Sequence, residues 1–379
     1  MVKIIKRTAE EKIRERLFKG KVIVLYGARQ VGKTTLSKKI LEDFGDQGRY
    51  LNCELLSVQN GLAEMEAEKL KSYLGNYKII VLDEAQNIVD IGKKLKIMVD
   101  TYPNIQIIAT GSSSFDLAGK ISEPLTGRVF TIILYPFSAQ EIMNSSDRFS
   151  FDSKIERLLR FGSYPEIFSL SDDEATERLN EIASDYLYKD ILKFEGLRKS
   201  SAIKDLLQLL ALQISGEVSY QELSQTLGIN RLTIQKYITI LEQSFVIFQL
   251  RALSRNKRKE ISKNFKIYFT DVGIRNSLIQ NYNTLDIRND IGQLWENFCV
   301  SERIKMNSNN NKRVNSYFWR NYEKKEVDYI EESGGIIQGY EFKWNGDKIK
   351  QKLSIKNFTD IYNSDVQMIT KNNIGDFIL

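Results

Sequence analysis

Along the first 150 residues, continuous apolar runs alternate with amphipathic stretches. After Lys21 the run 21–26 is apolar at every position, as expected of a strand buried on both faces, and 35–44 repeats its apolar positions at helical spacing. Runs 78–82 and 105–109 carry the strand signature again. Strands separated by helices predict a parallel sheet covered on both faces over residues 1–150. Beyond Pro136 the period turns helical, with helices expected at 154–161, 176–193 and 201–214 and a turn at Gly162-Ser163-Tyr164-Pro165. The segment 219–230 reads as a capped helix closed by Gly228, and 231–243 as a second amphipathic helix, which is helix-turn-helix spelling. Two strands, 245–250 and 265–269, flank a loop with Arg255, Lys257, Arg258, Lys259 and Lys263, completing a helical and winged-helix region over 151–270. From 271 to 379 the order is αβββαβ: helix 291–305, strands 315–320, 326–331 and 336–344, a mostly helical 347–362 and a strand 366–370.

The chemistry begins where the first strand ends. Gly27, Ala28, Arg29, Gln30, Val31, Gly32, Lys33, Thr34 and Thr35 spell GARQVGKTT, the phosphate-binding loop G-x-x-x-x-G-K-[ST] set between a strand and a helix. The two glycines let backbone N–H groups turn toward phosphate oxygens, and the following helix adds its positive end. Lys33 supplies a point charge for the β and γ phosphates, and Thr34 a hydroxyl for Mg2+. Strand 78–82 ends in Asp83-Glu84, where Asp83 would hold the Mg2+ shell and Glu84 would polarise the attacking water. Strand 105–109 ends in Thr110-Gly111-Ser112-Ser113; Ser112 is the expected γ-phosphate sensor, with Thr110 as the alternative. Arg128, in Leu125-Thr126-Gly127-Arg128, has two readings: transition-state stabilisation, in its own subunit or across a boundary, or a surface ion pair. ATP and Mg2+ are the expected cofactors.

A second group lies near the carboxy terminus. Glu341 and Lys343 share one face of a strand because side chains alternate. With Asp328 on the neighbouring strand and Glu296 on the preceding helix, the carboxylates could hold a second metal ion while Lys343 orients a water. The bland alternative is a set of charges on solvated strands.

Composition changes this picture little. The chain has 379 residues, enough for two or three domains, and 55 Lys+Arg against 49 Asp+Glu give a net charge of +6, which permits nucleic acid without demanding it. With no histidine, imidazole catalysis and histidine-ligated zinc are excluded, and two distant cysteines, Cys53 and Cys299, fit a reducing cytoplasm. No apolar run approaches 18 residues, so membrane insertion is not expected.

Taken together, GARQVGKTT, VLDEAQ, ATGSSS with LTGR, LYPFS, RFGSYPE, DYLYKDIL, KIYFTDVG, GQLWENFCVSE and the pair EVDYI and GYEFK make residues 3–344 resemble prokaryotic AAA-type ATPases whose carboxy-terminal domain, of unknown function, resembles PD-(D/E)xK nucleases. The resemblance implies an α/β P-loop NTPase domain, then the winged-helix region, then a restriction-endonuclease-like αβββαβ domain. It implies ATP binding at Gly32, Lys33 and Thr34 with Asp83 and Glu84 as the acidic pair, and a nuclease-like arrangement of Glu296, Asp328, Glu341 and Lys343. EVDYI lacks the proline of the nuclease motif. Two functions follow: ATP turnover coupled to a step on double-stranded DNA, with metal-dependent cleavage, or a nucleotide-controlled switch that uses its accessory domains as scaffolds for a protein partner or a second copy.

Overall fold

β1 (Val22–Tyr26) is buried at every position, as its unbroken apolar spelling requires, and it forms the middle of a sheet rather than an edge. The computed structural model describes residues 5–112, 125–145, 151, 153–192, 200–253, 265–321, 323, 325–346, 352–353 and 356–379. The chain divides into two units: Lys3–Phe137 with Gln243–Phe245, and Ser138–Glu242 with Val246–Leu379.

In the first unit, β2 (Gly48–Asn52), β3 (Ile79–Asp83), β4 (Gln106–Gly111) and β5 (Val129–Ile133) join β1 in a parallel five-stranded sheet ordered β2-β3-β4-β1-β5. β1, β3 and β4 are wholly buried, whereas the edge strands β2 and β5 are only partly so. That difference explains why the three central strands are legible as apolar runs and the edges are not. The order has a chemical consequence, because β4 lies between β1 and β3. Its register, Leu82↔Ala109 and Tyr26↔Gly111, brings the ends of all three strands together. Helices Lys33–Glu42 and Ile91–Thr101 supply Leu36, Ile40, Leu95 and Met98 to the buried core.

The second unit is built on a mixed sheet of eight strands among the described residues: β6 (Glu217–Val218), β7 (Ile247–Ala252), β8 (Phe265–Phe269), β9 (Asn315–Arg320), β10 (Glu326–Ser333), β11 (Ile336–Phe342), β12 (Lys352–Leu353) and β13 (Val366–Ile369). The helix-turn-helix is present as Tyr220–Leu227 and Arg231–Gln243. Ser219 Oγ accepts from Glu222 N at 3.1 Å, and Gly228 closes the first helix at a left-handed φ of 62°. β7 and β8 follow as an antiparallel pair, with β6 on the other side of β8. The basic loop between them, including Arg255 and Lys263, lies outside the described residues.

The expected division near residue 270 does not cut the structure. β7 pairs in parallel with β9, Arg251 opposite Tyr317 and Ala252 opposite Phe318, so one sheet runs from the helix-turn-helix hairpin into the carboxy-terminal strands. The two compact units divide at 137/138. The helix Ala139–Asn144 belongs to the second unit, where the N–H of Ala139 donates to Glu302 Oε2 at 2.6 Å.

A close contact ties the helical region together. Asp271 accepts from Gly273 N and Ile274 N, capping the helix Val272–Leu278, and its other oxygen accepts from Ser163 N at 2.8 Å. A Cβ on Gly273 would lie 2.2 Å from the carbonyl oxygen of Phe161. The segments RFGSYPE and FTDVG therefore meet backbone to backbone. Replacing Gly273 with Ala should destabilise the second unit by about 2 kcal/mol through overpacking against rigid backbone. All three tryptophans, Trp295, Trp319 and Trp344, lie in this unit, so denaturant unfolding followed by tryptophan fluorescence reads the effect directly.

Candidate functional site

The phosphate-loop sequence folds where β1 meets the helix Lys33–Glu42. Gly27 has φ 153°, and a Cβ there would lie 2.1 Å from Leu134 O, so the position admits only glycine. Gln30 and Gly32 also take left-handed conformations, at φ 59° and 96°, and turn the chain into the helix. Ala28 and Val31 are buried beneath the loop, while Gln30 and Thr35 are exposed. Lys33 is 5% exposed, and its ammonium donates to the carbonyls of Gly27 at 2.8 Å and Ala28 at 2.7 Å.

Asp83 is the centre of the hydrogen bonding. Its Oδ2 accepts from Thr34 Oγ1 at 2.8 Å and from the Tyr50 hydroxyl at 2.6 Å, while its Oδ1 accepts from Thr110 Oγ1. Thr110 Oγ1 in turn accepts from the backbone N–H of Glu84 at 3.0 Å. Glu84 sits at a left-handed φ of 52°, and its side chain accepts from Gln86 Nε2. Burial, reinforced by Asp83, raises the Tyr50 phenol well above its ordinary range, so it remains a donor. Of the two sensor candidates, Thr110 is the one bonded to both Asp83 and Glu84. Ser112 is buried two residues further along, at the end of the strand. Tyr50 was missed by sequence reasoning, because β2 is a half-buried edge strand without a motif of its own.

Arg128 is not at this site in its own subunit. It immediately precedes β5, and its carbonyl accepts from Val22 N at the start of β1. Gly27 follows the far end of β1, about 17 Å along the strand at ordinary strand rise. The guanidinium pairs with Asp100 at 2.6 Å on the surface, which corrects the expectation of a role in its own subunit.

The carboxy-terminal candidates do converge. Glu296 comes from the helix Ile291–Asn309, Asp328 from β10 and Glu341 from β11, with Lys343 just beyond. A register shift between Val327 and Ile330 helps place Asp328. Val327 and Ile330 pack with Trp319 and Phe358, whereas Glu326, Asp328 and Glu331 form ion pairs with Lys266 or Arg303. Lys343 Nζ approaches Glu341 Oε2 at 3.5 Å.

An unexpected cation sits among them. Lys266 of β8 is 3% exposed, with its ammonium 2.9 Å from Glu296 Oε1, 3.8 Å from Asp328 Oδ1 and in contact with Glu326. Tyr268, on the same face of β8, donates to Glu296 Oε1 at 2.6 Å. The signal was present in FKIYF, where a lysine interrupts a strand that is otherwise apolar and aromatic. Burial opposes the charge on Lys266, but Glu296, Asp328 and Glu326 outweigh it and raise the ammonium above its usual value. The excess negative charge is relieved elsewhere: burial and then Asp328 push Glu296 up to about 7 and Glu341 up to about 8.

Residues 19–143 match the family described as AAA domain, 152–285 a domain of unknown function (DUF8612) and 291–374 a domain of unknown function (DUF4143). The first unit therefore carries a P-loop AAA domain. Towards the carboxy terminus the matched family is a domain of unknown function. An uncharacterized protein of Mycobacterium tuberculosis is 27% identical over 345 residues, spanning 90% of this chain and 74% of that protein. An uncharacterized protein of Methanocaldococcus jannaschii is 28% identical over 303 residues, spanning 69% of this chain and 63% of that protein. Among solved structures, the Pif1 helicase from Candida albicans is similar at 17% identity and a TM-score of 0.28, covering 47% of this chain and 48% of that one. No helix among the described residues is long and apolar enough to cross a membrane.

The raised carboxyls set a pH dependence. Glu296 and Glu341 stay protonated in the fold over a range where the unfolded chain has released those protons, so their contribution to stability is complete below about 4.5 and is lost as pH rises through about 7 and about 8. Tryptophan-detected unfolding should therefore require less denaturant at pH 8 than at pH 5, and Glu341→Gln should flatten that slope.

Proposed function

We propose that the chain is a Mg2+-dependent ATPase that couples hydrolysis to a step on double-stranded DNA, engaged through its helix-turn-helix. The observation that carries the ATPase reading is the chain of bonds from Thr34 through Asp83 and Thr110 to the backbone of Glu84. It links the loop, the acidic pair and the tip of β4 in one arrangement. The residues fit the nucleotide and its metal: a glycine-built loop at a helix start for phosphates, and a hydroxyl and a carboxylate side by side for Mg2+.

Thr34 and Asp83 would hold the metal, whose charge offsets that developing on the phosphates. Lys33 would exchange its two carbonyl partners for phosphate oxygens. Glu84 would take the proton of the attacking water, with its direction fixed by its left-handed backbone and by Gln86. Thr110, bonded to the backbone of Glu84, couples the acidic pair to β4 and would transmit the state of the phosphates along that strand.

For the DNA-directed step, the support is the order of helices and hairpin in the second unit. The exposed face of Arg231–Gln243 presents Arg231 and Lys236 at and near its amino-terminal end, where such helices meet base edges. The second reading is a nucleotide-controlled switch acting on a protein partner. It is favoured by the weakly basic character of that helix, on which Arg231 and Lys236 are the basic residues.

Lys33→Ala should weaken ATP binding and abolish turnover, and unchanged affinity would mean the site is misassigned. Glu84→Gln should retain ATP while turnover falls about 10²- to 10⁴-fold, the range for loss of a general base. Steady-state hydrolysis with and without duplex DNA, with Lys33→Ala as the blank, separates the two readings. Stimulation supports the DNA-directed step, and turnover indifferent to DNA supports the switch.

A further inference from the structure

The carboxylates Glu296, Asp328 and Glu341 have the residue types of a metal-dependent phosphodiesterase, and a divalent ion there would need several of their oxygens together with open positions for water. The geometry does not fit that role. Lys266 Nζ lies within 4 Å of oxygens on Glu296, Asp328 and Glu326. Glu296 Oε1 is shared between Lys266 and the Tyr268 hydroxyl, and Asp328 Oδ2 accepts from the backbone N–H of Phe342 at 3.0 Å. Among the described residues, no group of three or more Asp, Glu, Cys or His is placed to hold a metal ion. Lys266 cannot readily leave, because β8 is buried at all five positions and paired on both sides, and the ring of Phe318 lies 5.7 Å from the ammonium.

We infer that Lys266 is itself the cation of this cluster, and that the cluster is an internal ion-pair network rather than a catalytic metal centre. The network joins the helix-turn-helix hairpin, through β8, to the helix Ile291–Asn309 and to β10. That is the same junction made in the backbone by β7 and β9. One ammonium thus does for Glu296, Asp328 and Glu326 what a divalent ion would do in a phosphodiesterase, without providing an open coordination position for water or substrate, and Glu341 has Lys343 as its own partner. The output of the chain is then not strand cleavage at this centre.

The test is titration of the nucleotide-free full chain with Mn2+, following the free ion by electron paramagnetic resonance. Equal Mn2+ binding by wild type and Asp328→Asn is the expected result. Binding lost in Asp328→Asn but kept in Asp83→Asn would overturn the inference. A second measurement needs no variant and decides the matter if Asp328→Asn fails to fold: amine labelling of the wild-type protein read out by mass spectrometry. Lys266 should stay among the least reactive lysines with and without millimolar Mn2+, and a rise in its labelling when Mn2+ is added would mean that metal displaces it. Supercoiled plasmid incubated with Mn2+ should be nicked no faster by wild type than by Asp328→Asn.

Discussion

A charge removed from water must be met by partners of opposite charge or by hydrogen-bond donors, and each unit of this chain contains an arrangement set by that requirement. In the first unit the buried group is the Asp83 side chain, surrounded by the hydroxyls of Thr34, Tyr50 and Thr110. In the second it is Lys266, surrounded by Glu296, Glu326 and Asp328. Removing one member of a buried ion pair typically costs about 3–5 kcal/mol, because the remaining charge is left unpaired. Strands that are distant in the sequence are held in fixed register by these groups.

Around Asp83, the three hydroxyls come from three different elements: the start of a helix, an edge strand and β4. Insertion of β4 between β1 and β3 puts a polar strand tip beside both the phosphate loop and the acidic pair. The same topology separates Arg128 from the site, since a residue at the amino-terminal end of β5 is at the wrong edge of a parallel sheet whose chemistry sits at the carboxyl ends.

The second unit shows how a motif can hold the right residue types and still be built for another purpose. Glu296 and Asp328 both reach Lys266, while Glu341 pairs with Lys343. The cation nearest to Glu296 and Asp328 among the described residues, however, is Lys266 of β8, 30 residues before Glu296 in sequence. Its presence follows from the continuous sheet. Once β7 pairs with β9, β8 is carried next to the helix Ile291–Asn309, and a lysine on the buried face of β8 has to find anions there.

The sequence by itself determined the elements whose signal is local. The buried strands β1, β3, β4 and β8 are continuous apolar runs or nearly so, the phosphate loop needs glycines at fixed spacing, and the first helix of the helix-turn-helix is bounded by Ser219 and Gly228. It also offered candidates for the chemistry, because ligand types and strand alternation are local properties, but Tyr50 and Lys266 were not among them. Tertiary structure alone decided which strand tip lies beside Asp83, that Arg128 is at the opposite end of the strands from the phosphate loop, that the expected second and third regions share one sheet, and that Lys266 meets Glu296, Glu326 and Asp328. Each of these depends on strand order and on pairing between residues far apart in the chain, which side-chain period cannot encode. A buried charge leaves only the odd lysine in an apolar strand as its trace, and the fold must be known before its partners can be.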